Sequence, residues 1–148
     1  MTMNSELLSL VLDELIPTTS DGRLPGAGTL GVGAVVEHAV AGTPELGQML
    51  AQGFAALEGL AQRRSPDGFG ALSRSARVET LRDLEKAAPM FVPTLLTLAC
   101  VGYYSDARVL TALNGDARPP HPRGYEVEAD DFSMLDGVRS RGVLYRNC

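Results

Sequence analysis

A chain of 148 residues with 45% apolar content fits one domain and can bury a core without disulfide or metal staples. Its net charge of −5 argues against nucleic acid as a partner, and two cysteines are too few for a disulfide framework. The charge is uneven: residues 1–60 carry seven acids against Arg23 alone, while residues 61–148 carry twelve bases against eleven acids.

The first ten residues, MTMNSELLSL, hold no basic segment, no twin arginine and no small-residue cleavage site. The expectation is therefore a cytoplasmic protein, or a periplasmic one if a leader precedes this sequence. Asn4 or Ser5 can cap a first helix. Leu7, Leu8, Val11, Leu12 and Leu15 then recur at helical period on one face, with Asp13 and Glu14 pointing the other way toward solvent. Ile16 precedes Pro17, which biases it out of the helical region and ends the helix. Residues 18–28 are turn chemistry throughout. They open the run Gly26-Ala27-Gly28-Thr29-Leu30-Gly31, which matches G-x-G-x-x-G. A dinucleotide site needs a strand directly before that run, and here a helix and Pro25 precede it. The glycines are better read as letting a helix start close to a neighbour.

A second helix is expected over about Thr29–Ala41, with Leu30, Val35, Val36, Ala39 and Val40 inward and Gly42 ending it. His38 has no ligand-type partner at helical spacing and reads as structural or exposed. Thr43-Pro44-Glu45 is a helix start: cap, proline at the first position, acid in the first turn. Leu46, Met49, Leu50, Gly53, Phe54, Leu57, Leu60 and Ala61 follow on one stripe, the strongest amphipathic signal in the chain. Gly47, Gly53 and Gly59 weaken this helix intrinsically and allow close packing. After a loop at residues 63–68, Phe69 and Leu72 plug the core. Ser73 or Ser75 caps a helix whose outer face, Glu79, Arg82, Asp83 and Lys86, is ordinary solvated surface.

Ala87–Tyr104 holds eighteen residues without a charge. Such a run is either wrapped by other helices or embedded in lipid. It lies at the lower length limit for a membrane span, and Pro89 and Pro93 cut into it, so a buried core helix over about 88–102 is expected. Cys100 within it reads as a small buried hydrophobe. Ser105 caps a short helix carrying Val109, Leu110 and Leu113, ended by Asn114-Gly115. The segment 117–125 is proline-rich and extended. Asp130 or Asp131 caps a turn through Phe132, Met134 and Leu135, and an apolar tail with Tyr145 and Arg146 follows. The fold class is thus all-α: a small helical bundle around a buried central helix, spanning 1–115, with an extended tail, 116–148, that lies on the body or on a partner.

The chain shows no H-E-x-x-H, C-x-x-C, G-x-S-x-G or P-loop, and its two histidines are far apart. No catalytic, cofactor or metal residues are assigned. Three pieces in order are nevertheless distinctive: Leu15-Ile16-Pro17 with a loop ending Pro25-Gly26-Ala27; the long amphipathic helix, the Phe69/Leu72 loop and a charged helix; and Gly102-Tyr103-Tyr104-Ser105-Asp106 after an apolar helix. Together, from about Leu7 to Tyr125, they resemble the gluconate 2-dehydrogenase subunit 3 family. The resemblance implies a non-catalytic small subunit that binds, stabilises or matures a large FAD-dependent dehydrogenase of the glucose–methanol–choline class acting on a sugar, polyol or related alcohol. FAD is then expected in the partner and no cofactor in this chain. The family's small subunit often carries a twin-arginine leader, which this sequence does not show. Tyrosine and arginine are favoured interface anchors, so Tyr103, Tyr104, Arg118, Arg123, Tyr125, Tyr145 and Arg146 are the expected partner surface. Two alternatives stand beside this: a transient assembly chaperone for the flavoprotein, and a small helical enzyme or ligand-binding domain with a pocket near Tyr103 and Tyr104.

Overall fold

A computed structural model describes residues 4–117, 124 and 129–142. The chain divides into two units, 1–118 and 119–148. The first is all-helical among its described residues and holds the core.

Helix α1 (Ser5–Leu15) starts where the Asn4 carboxamide accepts from the backbone N–H groups of Glu6 and Leu7, and it stops at Ile16. Its Leu7, Leu8, Val11 and Leu12 are buried. The next stretch departs from the single helix expected over residues 29–41. It forms α2 (Ala27–Leu30) and α3 (Gly33–Gly42), separated at Gly31 with φ of 88°. Only glycine adopts that left-handed conformation cheaply, and it reverses the chain between the two helices. Of the residues expected inward on this segment, Leu30 and Val36 are buried, whereas Val35 is 37% exposed.

Helix α4 (Pro44–Gln62) begins with Thr43 in an extended conformation, although the threonine side chain makes no capping bond. Leu50, Gly53, Leu57 and Ala61 are buried, and Leu46, Met49, Phe54 and Leu60 pack half-buried against the core. The whole predicted stripe is therefore in use. After a 3₁₀ turn at Phe69–Ala71, α5 (Arg74–Ala87) is capped by the Ser73 hydroxyl accepting from the Ala76 N–H. Phe69 and Leu72 are buried as plugs.

The uncharged run becomes α6 (Phe91–Tyr103), beginning only after Pro89 and Met90 have turned the chain. Its buried face is Phe91, Val92, Leu95, Ala99 and Tyr103. The Phe91 ring lies against Gly53 and meets Phe54 edge-on at 5.0 Å. The opposite face is open, so α6 is not wrapped on all sides. Among the described residues no single helix is long and apolar enough to cross a membrane. Helix α7 (Ala107–Asn114) is capped by Asp106, not Ser105, its carboxylate accepting from the Arg108 N–H. Gly115 with φ of 74° closes it; Val109 and Leu110 are buried, and Leu113 is 48% exposed.

In the second unit, Asp131 accepts from the Ser133 N–H and opens a 3₁₀ turn, Phe132–Leu135, that continues into α8 (Asp136–Arg139). Its apolar residues Phe132, Met134, Leu135 and Val138 are exposed.

Candidate functional site

The corner between α6 and α7 is built from Gly102-Tyr103-Tyr104-Ser105-Asp106. One hundred degrees of helix rotation separate consecutive residues, so adjacent tyrosines face different ways. Tyr103 is 2% exposed and donates its hydroxyl to the Pro25 carbonyl at 2.9 Å. Tyr104 is 54% exposed and sets its ring edge against Tyr103 at 5.3 Å. Burial raises the Tyr103 phenol above its ordinary value, and the neighbouring Tyr104 adds to this.

Two arginines complete the corner. Arg108 grips the Asp106 carboxylate through Nε and Nη2, both at 3.0 Å, and Nη2 also donates to the Leu30 carbonyl at 3.0 Å. The Leu30 carbonyl lies at the C-terminal end of α2, where a cation is favourable. These bonds hold the Asp106 carboxyl below its usual range, the Arg108 side chain first among the causes. Arg23 reaches from the loop to the Ala112 carbonyl at 3.0 Å. Thus the loop between α1 and α2 is tied to α6 and α7 by two side chains, and the end of α2 to α7 by a third, all hydrogen-bonded to backbone carbonyls. The loop is itself closed: Thr18 Oγ1 accepts from the Gly26 N–H, and Thr19 Oγ1 accepts from the Leu24 N–H and donates to Asp21.

Asp13 and Glu14 are not solvated charges. Asp13 accepts from both the backbone N–H and the hydroxyl of Thr29, at 3.0 and 3.1 Å. It supplies α2 with the cap that Gly26, having no side chain, cannot. A β-carbon at Gly26 would strike the Asp13 carboxylate, and one at Gly28 would strike the Ser9 backbone. The glycine run therefore serves helix-to-helix approach. Glu14, with its side chain only 6% exposed, pairs with Arg77 at 3.2 Å and with Arg74 at 3.6 Å. Arg77 also donates to the Leu72 and Gly70 carbonyls, fastening the Phe69–Ala71 turn to α1 and α5. Arg64 bridges Glu79 and Asp83 at 3.0 and 2.7 Å, so part of the supposedly solvated face of α5 is tied to the end of α4.

What could this arrangement do chemically? The Tyr103 hydroxyl and the Arg108 guanidinium are committed to internal partners. Among the described residues no three His, Cys, Asp or Glu side chains come together as metal ligands, and His38 is exposed. The larger cleft, about 640 Å³, lies between α1, α3 and α4 and is lined by residues including Leu7, Val40, Pro44, Gln48, Gln52 and Phe54. A second, about 390 Å³, includes Met49, Gly53, Met90 and Phe91. Neither of these two includes Tyr103 or Tyr104, and among the described residues no ionisable side chain lines either one. Of the expected partner surface, Tyr103 lies beneath the surface and Tyr104 on it. Arg118, Arg123, Tyr125, Tyr145 and Arg146 lie outside the described residues.

Sequence reasoning did not single out Arg23, Arg77 or Arg108 as structural ties. The Asp106-Ala107-Arg108 spacing, an acid at a cap with an arginine two residues on, was the available signal for the last of these.

The chain belongs to the gluconate 2-dehydrogenase subunit 3 family, which matches residues 3–115. The match covers the helical body and stops at Gly115, ten residues short of the Tyr125 limit of the resemblance. No curated protein and no solved structure matches the chain.

Proposed function

We propose that this chain is a non-catalytic accessory subunit of an FAD-dependent dehydrogenase of the glucose–methanol–choline class, acting on a sugar, polyol or related alcohol. The observation that carries the reading is membership of a family described as a dehydrogenase subunit. The chemistry of the body supports it. Its motif residues spend their hydrogen bonds internally, and among the described residues the two clefts above have no acid, base or nucleophile in their walls. In this reading the partner holds FAD and performs the chemistry, and the helical body binds the partner and stabilises it. Tyr104 belongs to the contact surface, and Tyr103 supports it from beneath.

Co-purification tests this. The chain is expressed with its native neighbouring genes, isolated under mild conditions, and examined for bound protein and flavin absorbance. A stoichiometric flavoprotein that turns over a sugar or polyol is the expected result. A flavoprotein that matures only in the presence of this chain, yet is released from it, assigns the role of assembly chaperone. A colourless chain without a partner overturns the subunit reading and shifts attention to the 640 Å³ cleft.

A further inference from the structure

Of the six exposed large apolar side chains among the described residues of the helical body, four belong to one element, the others being Val35 on α3 and Leu113 on α7. Met90, Leu96, Val101 and Tyr104, all on α6 or its two caps, are 67%, 37%, 57% and 54% exposed. Pro93 and Thr97 are exposed between them, and Cys100 is half-buried. Positions 93, 96, 97, 100, 101 and 104 fall at i, i+3, i+4, i+7, i+8 and i+11, a single stripe along the helix. No charged residue lies between Lys86 and Asp106. The Thr97 hydroxyl donates to the Pro93 carbonyl of its own helix, so it offers no free donor to solvent. Gly102 lets α3 approach closely: a β-carbon there would lie 2.8 Å from Val32 and 3.0 Å from Val35. Val35 is thereby placed beside the stripe and extends it.

We propose that this stripe, Pro93–Leu96–Val101–Tyr104 flanked by Met90 and Val35, is the surface on which the dehydrogenase's catalytic subunit docks, the partner contributing an uncharged apolar face of its own. The inference rests on the accessory-subunit reading and assigns that role to a place in the fold. The family description, a dehydrogenase subunit, favours a different polypeptide over a second copy as the occupant. Thirteen residues of α6 span about 20 Å of helix about 10 Å wide, so the stripe covers on the order of 200 Å². A stable interface buries about 800 Å² per partner, so the stripe is the apolar centre of a contact whose polar rim lies on the surface around α6. Each copy also carries a net charge of −5, so self-pairing brings like charges together. The stripe's apolar character, in contrast, suits the desolvated centre of a contact with a catalytic subunit.

The test places charge on the stripe without disturbing the core. Leu96→Glu with Val101→Glu is compared with wild type and with Ala55→Glu, which puts a single glutamate at an exposed position lining the 640 Å³ cleft. Each is co-expressed with the native neighbouring genes, and bound flavoprotein is read by absorbance and mass spectrometry. Wild type and Ala55→Glu are expected to retain stoichiometric flavoprotein, and the double variant to lose at least about tenfold in affinity. Circular dichroism and melting temperature establish that the double variant folds, and Val101→Gln alone provides a milder substitution with the same expected direction. Full retention by the folded double variant overturns the docking site and leaves the subunit reading standing. No flavoprotein on wild type overturns both. A concentration-dependent dimer of wild type that the two glutamates dissolve assigns the stripe to a second copy, and overturns the proposal.

Discussion

Tyr103 and Glu14 show how single side chains hold the helical body together. The Tyr103 hydroxyl bridges 78 positions of sequence to reach Pro25. Tyr103→Phe strands that carbonyl and is expected to cost about 1 kcal/mol in urea denaturation at neutral pH. The same residue sets an alkaline limit. Because burial favours its neutral form, its folded pKa lies above the ordinary value of 10.0. The stability it contributes is whole below about pH 10 and declines as pH rises through the folded value. Ultraviolet titration should show one tyrosine ionising later than the rest in the wild type, a component absent from Tyr103→Phe. Glu14 is buried against Arg77, which holds two further carbonyls. Arg77→Met leaves a buried carboxylate with only Arg74 near it, and is expected to cost about 3 kcal/mol in chemical denaturation. The role of Glu14 was not legible from the residue in isolation. Helical period placed Asp13 and Glu14 off the apolar stripe of α1, which reads as solvent. In the fold that side is covered, by α2 over Asp13 and by α5 over Glu14.

At the scale of elements, glycine positions separate propensity from packing. Gly53 and Gly59 lie in the same helix and carry the same intrinsic penalty. A methyl at Gly53 meets the Phe91 ring, whereas at Gly59 nothing lies within 4 Å. Gly59→Ala is therefore expected to stabilise the protein by up to about 1 kcal/mol through helix propensity alone. Gly53→Ala is expected to destabilise it by about 1–3 kcal/mol through overpacking, despite the same gain in propensity. Thermal melts of the two variants would move in opposite directions, and equal shifts would refute the packing account. Gly28 is the third case, since a side chain there must push α2 off the Ser9 backbone. The close approach of α1 and α2 also explains why the expected helix over 29–41 breaks. Once α2 is held against α1 by Asp13 and the paired glycines, the chain has to reverse at Gly31 to bring Val32 and Val36 into the core.

For the molecule as a whole, charge and the exposed face of α6 set the behaviour in solution. Asp21, Asp83, Asp106 and Asp131 are all held below the ordinary value of 3.8, each by hydrogen bonds to its carboxylate. Depressed values in the folded state stabilise it fully above about pH 4, and that contribution is lost as pH falls through the folded values. The acid limb of the melting-temperature profile should therefore drop below about pH 4, and Asp106→Asn should reduce its slope. The sequence alone determined the helical class, most helix boundaries, the α4 stripe, the core plugs and the family, because apolar period, caps and breakers act locally and survive in one dimension. Only the tertiary structure decided which tyrosine of the pair is buried, which acids are tied down, and that α6 is covered on one face alone. Those outcomes depend on what packs against each side of a helix. An uncharged sequence records that a face tolerates burial, but the elements around it decide whether the burial occurs within the chain.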